Sequence, residues 1–262
     1  MFENYERMKI KRAGRILTIA LDNGKVNAVD ERMHQELGRV FLEAQDDRDS
    51  DLIVLTGKNK AFCAGGDTDW FKEHIRDHSS FRNMTYEAKR IITSILDLEK
   101  PMICRLNGAA AGLGSSMALL SDIIVAADHA LIGDPHVKVG LVAGDGGAVI
   151  WPQLIGYARA KELLLTGDMV SAKEAVSMGL INHAVAADQL DAKVAEIADK
   201  ILANPRWAVR WTKTAVNIPL RELAIKVSDA AIAYETLSNM MADRKEAVEA
   251  FIEKRTPDYS GE

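Results

Sequence analysis

His136 and Asp145 are the residues of this chain best suited to move protons. His136 follows Asp134-Pro135 at a turn, and an imidazole titrates where acid–base chemistry near neutral pH needs it. Asp145 lies nine residues further on, inside Ala143-Gly-Asp-Gly-Gly147 and just before the apolar run Ala148–Ile155. A carboxylate there could orient or charge His136, act on a substrate directly, or only cap the helix that the apolar run predicts. Ser116 has no histidine adjacent in sequence, so it reads as a small helix residue packed under a sheet rather than as a nucleophile. His74 and His78 are four apart and could share a helix face. They lack a third ligand and the glutamate of a metallohydrolase motif, so no metal site is expected.

Two glycine-rich turns offer a second kind of chemistry. Ala61-Phe-Cys-Ala-Gly-Gly-Asp67 follows an apolar strand segment, and Asn107-Gly-Ala-Ala-Ala-Gly-Leu-Gly-Ser115 runs into a short helix. Small residues let a ligand approach the backbone closely, and a helix N-terminus presents unpaired N–H groups. Two such turns facing one point could hold a developing enolate oxygen beside a carbonyl. Each turn taken alone is equally explained by tight strand–helix packing.

The elements that must position these groups alternate along the chain. Met8–Lys11 and Arg15–Leu21 read as strands joined at Ala13-Gly14. Asp30 can cap a helix carrying Met33, Leu37, Val40, Phe41 and Ala44 on one face. Leu52–Thr56, Met102–Leu106 and Ile123–Ala126 are short continuous apolar runs, as buried strands are. Helices are expected over about Tyr86–Leu98 and over Leu113–Leu120. Repeated strand–helix alternation implies an α/β core with helices packed on sheet. From Gln189–Leu202 onward the patterns are helical, with Pro205 and Pro219 read as breaks. Two regions are expected: a core over 1–199 and a C-terminal helical region over 200–262. Trp207 and Trp211 are expected to pack a helix into the core.

Five segments in order resemble the crotonase (enoyl-CoA hydratase/isomerase) superfamily: LDNGKVNAVD (21–30), AFCAGGD (61–67), KPMICRLNGAAAGLG (100–114), LTGDMVSAKEAVSMGLIN (165–182) and AFIEKRTPDYSGE (250–262). The resemblance implies a crotonase-type core of repeated strand–strand–helix units, carrying the CoA site and oxyanion hole, with a C-terminal helical region that builds oligomers. It puts the oxyanion N–H donors at Gly66 and Leu113. It puts substrate and CoA contacts at Lys25, Asn27, Ala28, Ala64 and Asp67, with Phe251 and Lys254 at the nucleotide end, often of a neighbouring subunit. Trp70, Phe71 and Phe81 fall in the segment that lines or covers the acyl pocket. Ser116 and His136 stand where hydratases of the family carry two glutamates.

That double replacement leaves the reaction open. The leading expectation is an enoyl-CoA hydratase/isomerase-type enzyme, with His136 and Asp145 handling protons and CoA present only as part of the substrate. The His–Asp pair also resembles the superfamily's carbon–carbon bond hydrolases, which cleave β-diketones. In those enzymes Glu235 would match a further carboxylate, although its helical setting favours a solvent-facing side chain. A non-catalytic acyl-CoA-binding member is the third reading. The resemblance implies a homotrimer or homohexamer.

Composition narrows the setting. The chain has 262 residues, 38 acidic against 33 basic, which argues against general attraction to nucleic acid or anionic membrane. Two cysteines, Cys63 and Cys104, form no framework and fit a reducing compartment. The charged start MFENYERMKIKR is unlike a secretory signal, and no apolar run is long enough to span a membrane. A cytoplasmic protein without membrane or nucleic-acid partners is expected.

Overall fold

A computed structural model describes residues 2–261, apart from the side chain of Asn83; Met1 and Glu262, the outermost residues of two segments quoted above, lie outside the described residues. The chain begins with the hairpin β1 (Met8–Ala13) and β2 (Ile16–Leu21), then α1 (Glu31–Asp46) and β3 (Leu52–Gly57). Helices α2 (Thr68–Arg76) and α3 (His78–Asp97) lead to β4 (Met102–Leu106), the two-residue β5 (Ala110–Ala111) and α4 (Leu113–Leu119). Strands β6 (Ile123–Ala127) and β7 (Leu131–Gly133) precede α5 (Gly147–Thr166), β8 (Met169–Ser171), α6 (Ala172–Ser177) and β9 (His183–Val185). The chain closes with α7 (Leu190–Leu202), α8 (Arg206–Asn239) and α9 (Ala242–Glu253).

The main sheet has the order β1-β2-β3-β4-β6-β9, antiparallel only at β1–β2. A small second sheet, β5-β7-β8, stands beside it. Both faces of the main sheet are covered, which is why β3 is buried along its whole length. Alternate side chains go to opposite faces. Ile53 and Leu55 join Met33, Leu37, Phe41 and Ile91 in the larger core, while Leu52 and Val54 meet Leu190, Val194 and Ile197 of α7.

Caps explain where the helices begin. Asp30 accepts from the Met33 N–H at 2.8 Å and starts α1, as its position before the apolar face predicts. α3 starts well before the expected Tyr86, because Asp77 accepts from the Ser79 N–H at 2.9 Å and caps it at His78. α5 leaves helical geometry at Gly156, which is where the expected Ala148–Ile155 helix stops.

Two expectations for the C-terminal helices are corrected. Pro219 does not break the chain: it sits inside the 34-residue α8, which starts right after Pro205. The helix is anchored on both sides of the proline, through Arg210 and Lys213 before it and by packing on α3. Trp207 and Trp211 do not enter the core; they are 50% and 60% exposed and pack on each other with ring centroids 5.4 Å apart. The buried side of that turn belongs instead to Arg210 and Lys213, whose charges are needed there.

α8 is tied to the sheet by charge. Asp51, at the entrance of β3 and nearly buried, receives Arg15 Nε and Arg206 Nε at 2.5 Å and Arg210 at 3.1 Å. Removing the carboxylate leaves three guanidinium groups facing one another. Asp51→Ala should therefore cost ~3 kcal/mol in chemical denaturation. A loss below ~1 kcal/mol would mean that apolar packing alone docks the start of α8.

Candidate active site

The first turn is held against the early loop by a short ladder. The Val29 N–H bonds Gly65 O at 2.8 Å, and the Asp67 N–H bonds Val29 O at 2.9 Å. Gly66 lies between these two bonds, so its own N–H points away from Val29, toward the other side of the ladder. Asn27 locks the same junction. It is fully buried, holds a left-handed φ of 53°, and donates from Nδ2 to the carbonyls of Lys58, Ala61 and Phe62 at 2.8–3.1 Å. Its side chain thus binds the two loops to each other. Asp67 caps α2 by accepting from Asp69 N and Trp70 N, so its carboxylate shapes the turn.

The second turn enters α4 through Gly112, at φ 54°, and Leu113 is the first helical residue. Its N–H is therefore one of the helix-start donors without an intrahelical partner. Gly66 and Leu113 line one cavity of about 50 Å³ together with His136, Asp145 and Glu235. Phe71 lies directly over Gly66: a Cβ there would overlap its ring. Toward the surface an adjoining cleft of about 160 Å³ is walled by Ala64, Gly65, Ala111, Lys138 and Phe251. Lys25 and Lys254 are exposed, Lys254 as the C-cap of α9, and Ala28 is half-buried; none of the three lines either cavity.

The proton-handling groups form a row. His136 Nδ1 hydrogen-bonds Asp134 Oδ1, and His136 Nε2 faces Asp145 Oδ2 at 3.4 Å. Asp134 is the member that sequence reasoning missed, although a carboxylate two residues before the histidine was visible. Asp145 does not cap α5; the cap position is Gly146 and the carboxylate turns to the imidazole instead. Asp134, His136 and Asp145 could bring one ligand atom each within 4.8 Å of one another. Both ring nitrogens already face carboxylates, however, so the arrangement serves a charge row better than a metal.

Glu235 is not solvent-facing. It is 2% exposed on the inner side of α8, with Oε2 against Gly144. Trp70, Phe71, Phe81, His34, His74 and Met84 complete the cavity. Ser116 is fully buried, as a packed helix residue would be, and its Oγ is unpartnered among the described residues. Behind the cavity, Arg244 of α9 donates to Val139 O and Asn239 Oδ1 and lies 4.7 Å from the Phe71 ring centre. Residues beyond 200 thus supply part of the cavity wall.

Burial opposes charge on His136, but the carboxylates of Asp134 and Asp145 outweigh it and hold the imidazole well above its ordinary value. Burial, with the Asp145 charge added, pushes the Glu235 carboxyl up to about 8. The row at neutral pH is thus an imidazolium between two aspartates, with a protonated glutamic acid beside it. Asp145 Oδ1 and Glu235 Oε2 have no partner among the described residues, leaving one acceptor and one acid free to meet a ligand.

The chain is similar to known proteins along almost its whole length. The family model for enoyl-CoA hydratase/isomerase matches residues 11–262. A carnitinyl-CoA dehydratase of Citrobacter koseri is 32% identical over 98% of this chain and 99% of its own. The crystal structure of an enoyl-CoA hydratase/isomerase from Mycobacterium paratuberculosis superposes with a TM-score of 0.90 at 34% identity, covering 95% of this chain and 99% of that one. A β-diketone hydrolase from Anabaena, solved with (S)-3-oxocyclohexyl acetic acid, gives 0.85 at 27% identity, covering 91% and 96%.

A raised carboxyl value is also a statement about stability. Folded Glu235 holds its proton more tightly than the unfolded chain does, so its contribution is complete below the ordinary carboxylate range and is lost as pH rises toward 8. Glu235→Gln cannot ionise. Its stability relative to the parent should therefore rise by a few kcal/mol between about pH 5 and pH 8, since a tenfold change in proton affinity is worth about 1.4 kcal/mol. A difference that stays flat across that range in denaturation would show Glu235 to be an ordinary carboxylate.

Proposed function

The chain belongs to the enoyl-CoA hydratase/isomerase family, and from that premise we propose that it is a lyase or isomerase acting on the α,β-carbons of an acyl-CoA thioester, with no cofactor beyond the CoA of its substrate. The observation that carries the reading is the shared cavity. Two turn N–H donors and a row of proton-handling groups line one small space that adjoins an open cleft.

In the hydration direction, Asp145 Oδ1 takes a proton from water as the water oxygen bonds the β-carbon. The electron pair of the double bond moves through the α-carbon onto the thioester oxygen, where the N–H groups of Gly66 and Leu113 stabilise it. Neutral Glu235 then gives its proton to the α-carbon as the thioester carbonyl re-forms. His136 orients Asp145 through Nε2, while Asp134 holds the ring at Nδ1. Dehydration runs the same steps in reverse. Of the pair expected to handle protons, Asp145 thereby acts on water and His136 positions it.

A second reading has its own support. A largely enclosed His–Asp pair with a further neutral carboxylic acid also suits attack of water on a β-diketone carbonyl, and the Anabaena hydrolase is a structural neighbour. That reaction needs no CoA, so the ligand separates the two.

Disappearance of the enoyl absorbance of short enoyl-CoAs, run beside a β-diketone cleavage assay, decides between them. Asp145→Asn and His136→Ala should lower enoyl-CoA turnover about a hundredfold to ten-thousandfold with CoA affinity nearly intact. Ser116→Ala should be almost silent. Turnover of the diketone without binding of any CoA thioester would install the hydrolase instead.

We propose that the working form is a homotrimer or homohexamer in the cytoplasm. Trp207, Trp211, Val216, Ile218 and Ile225 form an exposed apolar series along α8, which one chain leaves uncovered. Among the described residues, no helix is long and apolar enough to cross a membrane. Light scattering should report about three or six times the 28.7 kDa chain mass. A stable monomer at micromolar concentration would remove this assembly.

A further inference from the structure

We propose that the acyl group accepted by this site is short and carries a neutral hydrogen-bonding oxygen, a hydroxyl or ketone, at the end remote from the thioester, and that His74 Nε2 is the group that reads it. This rests on the acyl-thioester reading above and adds the class of acyl group to it.

His74 sits on α2 and lines the same cavity as Gly66, Leu113 and His136. It is 2% exposed, and its Nε2 has no partner among the described residues. The ring cannot turn away to find one. It lies 4.4 Å from Trp70 and meets Phe81 edge-on at 5.1 Å, ring centre to ring centre. A buried polar atom left unpaired costs about 1–3 kcal/mol. A wall meant only for an aliphatic chain would avoid that cost with leucine or phenylalanine.

The other unpartnered cavity atoms, Asp145 Oδ1 and Glu235 Oε2, belong to the proton chemistry; His74 does not. The charged and titratable groups acting on it are Arg244, His34 and Asp77, not the carboxylates of the His136 row, which sets it apart from the reacting carbons. Burial, reinforced by the Arg244 charge, lowers its imidazole to about 4. The ring is therefore neutral in use, offering a hydrogen bond without charge, and it suits an oxygen that is also uncharged. Trp70 and Phe81 supply flat apolar walls for the carbons in between, and a space of about 50 Å³ suits a short chain.

The test compares two thioesters that differ by one hydroxyl: pentanoyl-CoA and its ω-hydroxy derivative for binding by calorimetry, with the corresponding pentenoyl-CoA pair for kcat/KM. The wild-type protein should favour the hydroxylated member by about tenfold or more, the worth of one good hydrogen bond at a buried site. His74→Leu should abolish or reverse that preference, and His74→Gln, which keeps a polar end, should retain part of it. Should the leucine variant fail to fold, the glutamine variant and the wild-type comparison still decide. Equal binding of the pair by the wild type, or a preference that survives in His74→Leu, overturns the inference while leaving the acyl-CoA reading intact. Failure of both thioesters to bind overturns the acyl-CoA reading and this inference with it.

Discussion

Three carboxyl groups and one imidazole share a space almost closed to water, and their mutual repulsion governs the rest of the site. Two like charges about 4 Å apart interact by roughly 4 kcal/mol at the effective dielectric of a protein near its surface. Asp134, Asp145 and Glu235 cannot all remain ionised beside a single imidazole. The arrangement resolves this in two ways. His136 takes up a proton and lies between the two aspartates, and Glu235, almost fully enclosed, retains its own. The result is a free carboxylate oxygen and a free carboxylic acid in one cavity, the pair that proton addition and removal across adjacent carbons requires.

Everything around the row serves to keep it in place. The turn that carries His136 is pressed from outside by α9, where Arg244 bonds Val139 O and its chain backs Gly140. Arg244 also lies under Phe71, whose ring covers Gly66, so one buried cation braces both the proton-handling turn and the lid of the oxyanion turn. α8 brings Glu235 in across the top, and its first turns are fixed to the sheet by Asp51 and by the Lys213–Asp122 pair at 2.8 Å. Buried ion pairs of this kind add little net stability. What they do here is fix the direction of a long helix whose far half carries a catalytic candidate.

Much of this could be read in the chain. Asp30 before an apolar helical face, the apolar run of β3 and the two small-residue turns follow local rules, and they recur in the structure at the expected residues. The pairing of His136 with Asp145 was legible as well, because a nine-residue loop between short elements keeps its ends close. Most of what escaped has one physical cause. Glu235, Arg244, Trp207 and Trp211 lie on α8 and α9, where the hydrophobic pattern is weak because charged side chains face inward and aromatic ones outward. Helical periodicity reports which face is apolar, and it misleads where the inner face is built from ion pairs. Pro219 escaped for the same reason: anchoring on both sides holds the helix through a residue that local propensity reads as a stop.

Ser116 and Glu235 belong to one argument. At Ser116 the site has a buried hydroxyl at the position where the family resemblance implied a glutamate. Here Ser116 packs against the loop before α5, where a Cβ on Gly146 would stand 3.0 Å from the serine side chain. On the proposed reaction, the carboxyl group that serves the α-carbon comes from another element. α8 supplies it: Glu235 enters over Gly144, a position where any side chain would collide with its carboxylate. Glycine at 144 thus leaves room for the Glu235 carboxyl, and serine at 116 offers no acid of its own. Glu235 is almost fully buried and feels the Asp145 charge, and that setting keeps it protonated at neutral pH. On the proposed reaction, this burial is also what makes Glu235 the member of the pair that donates.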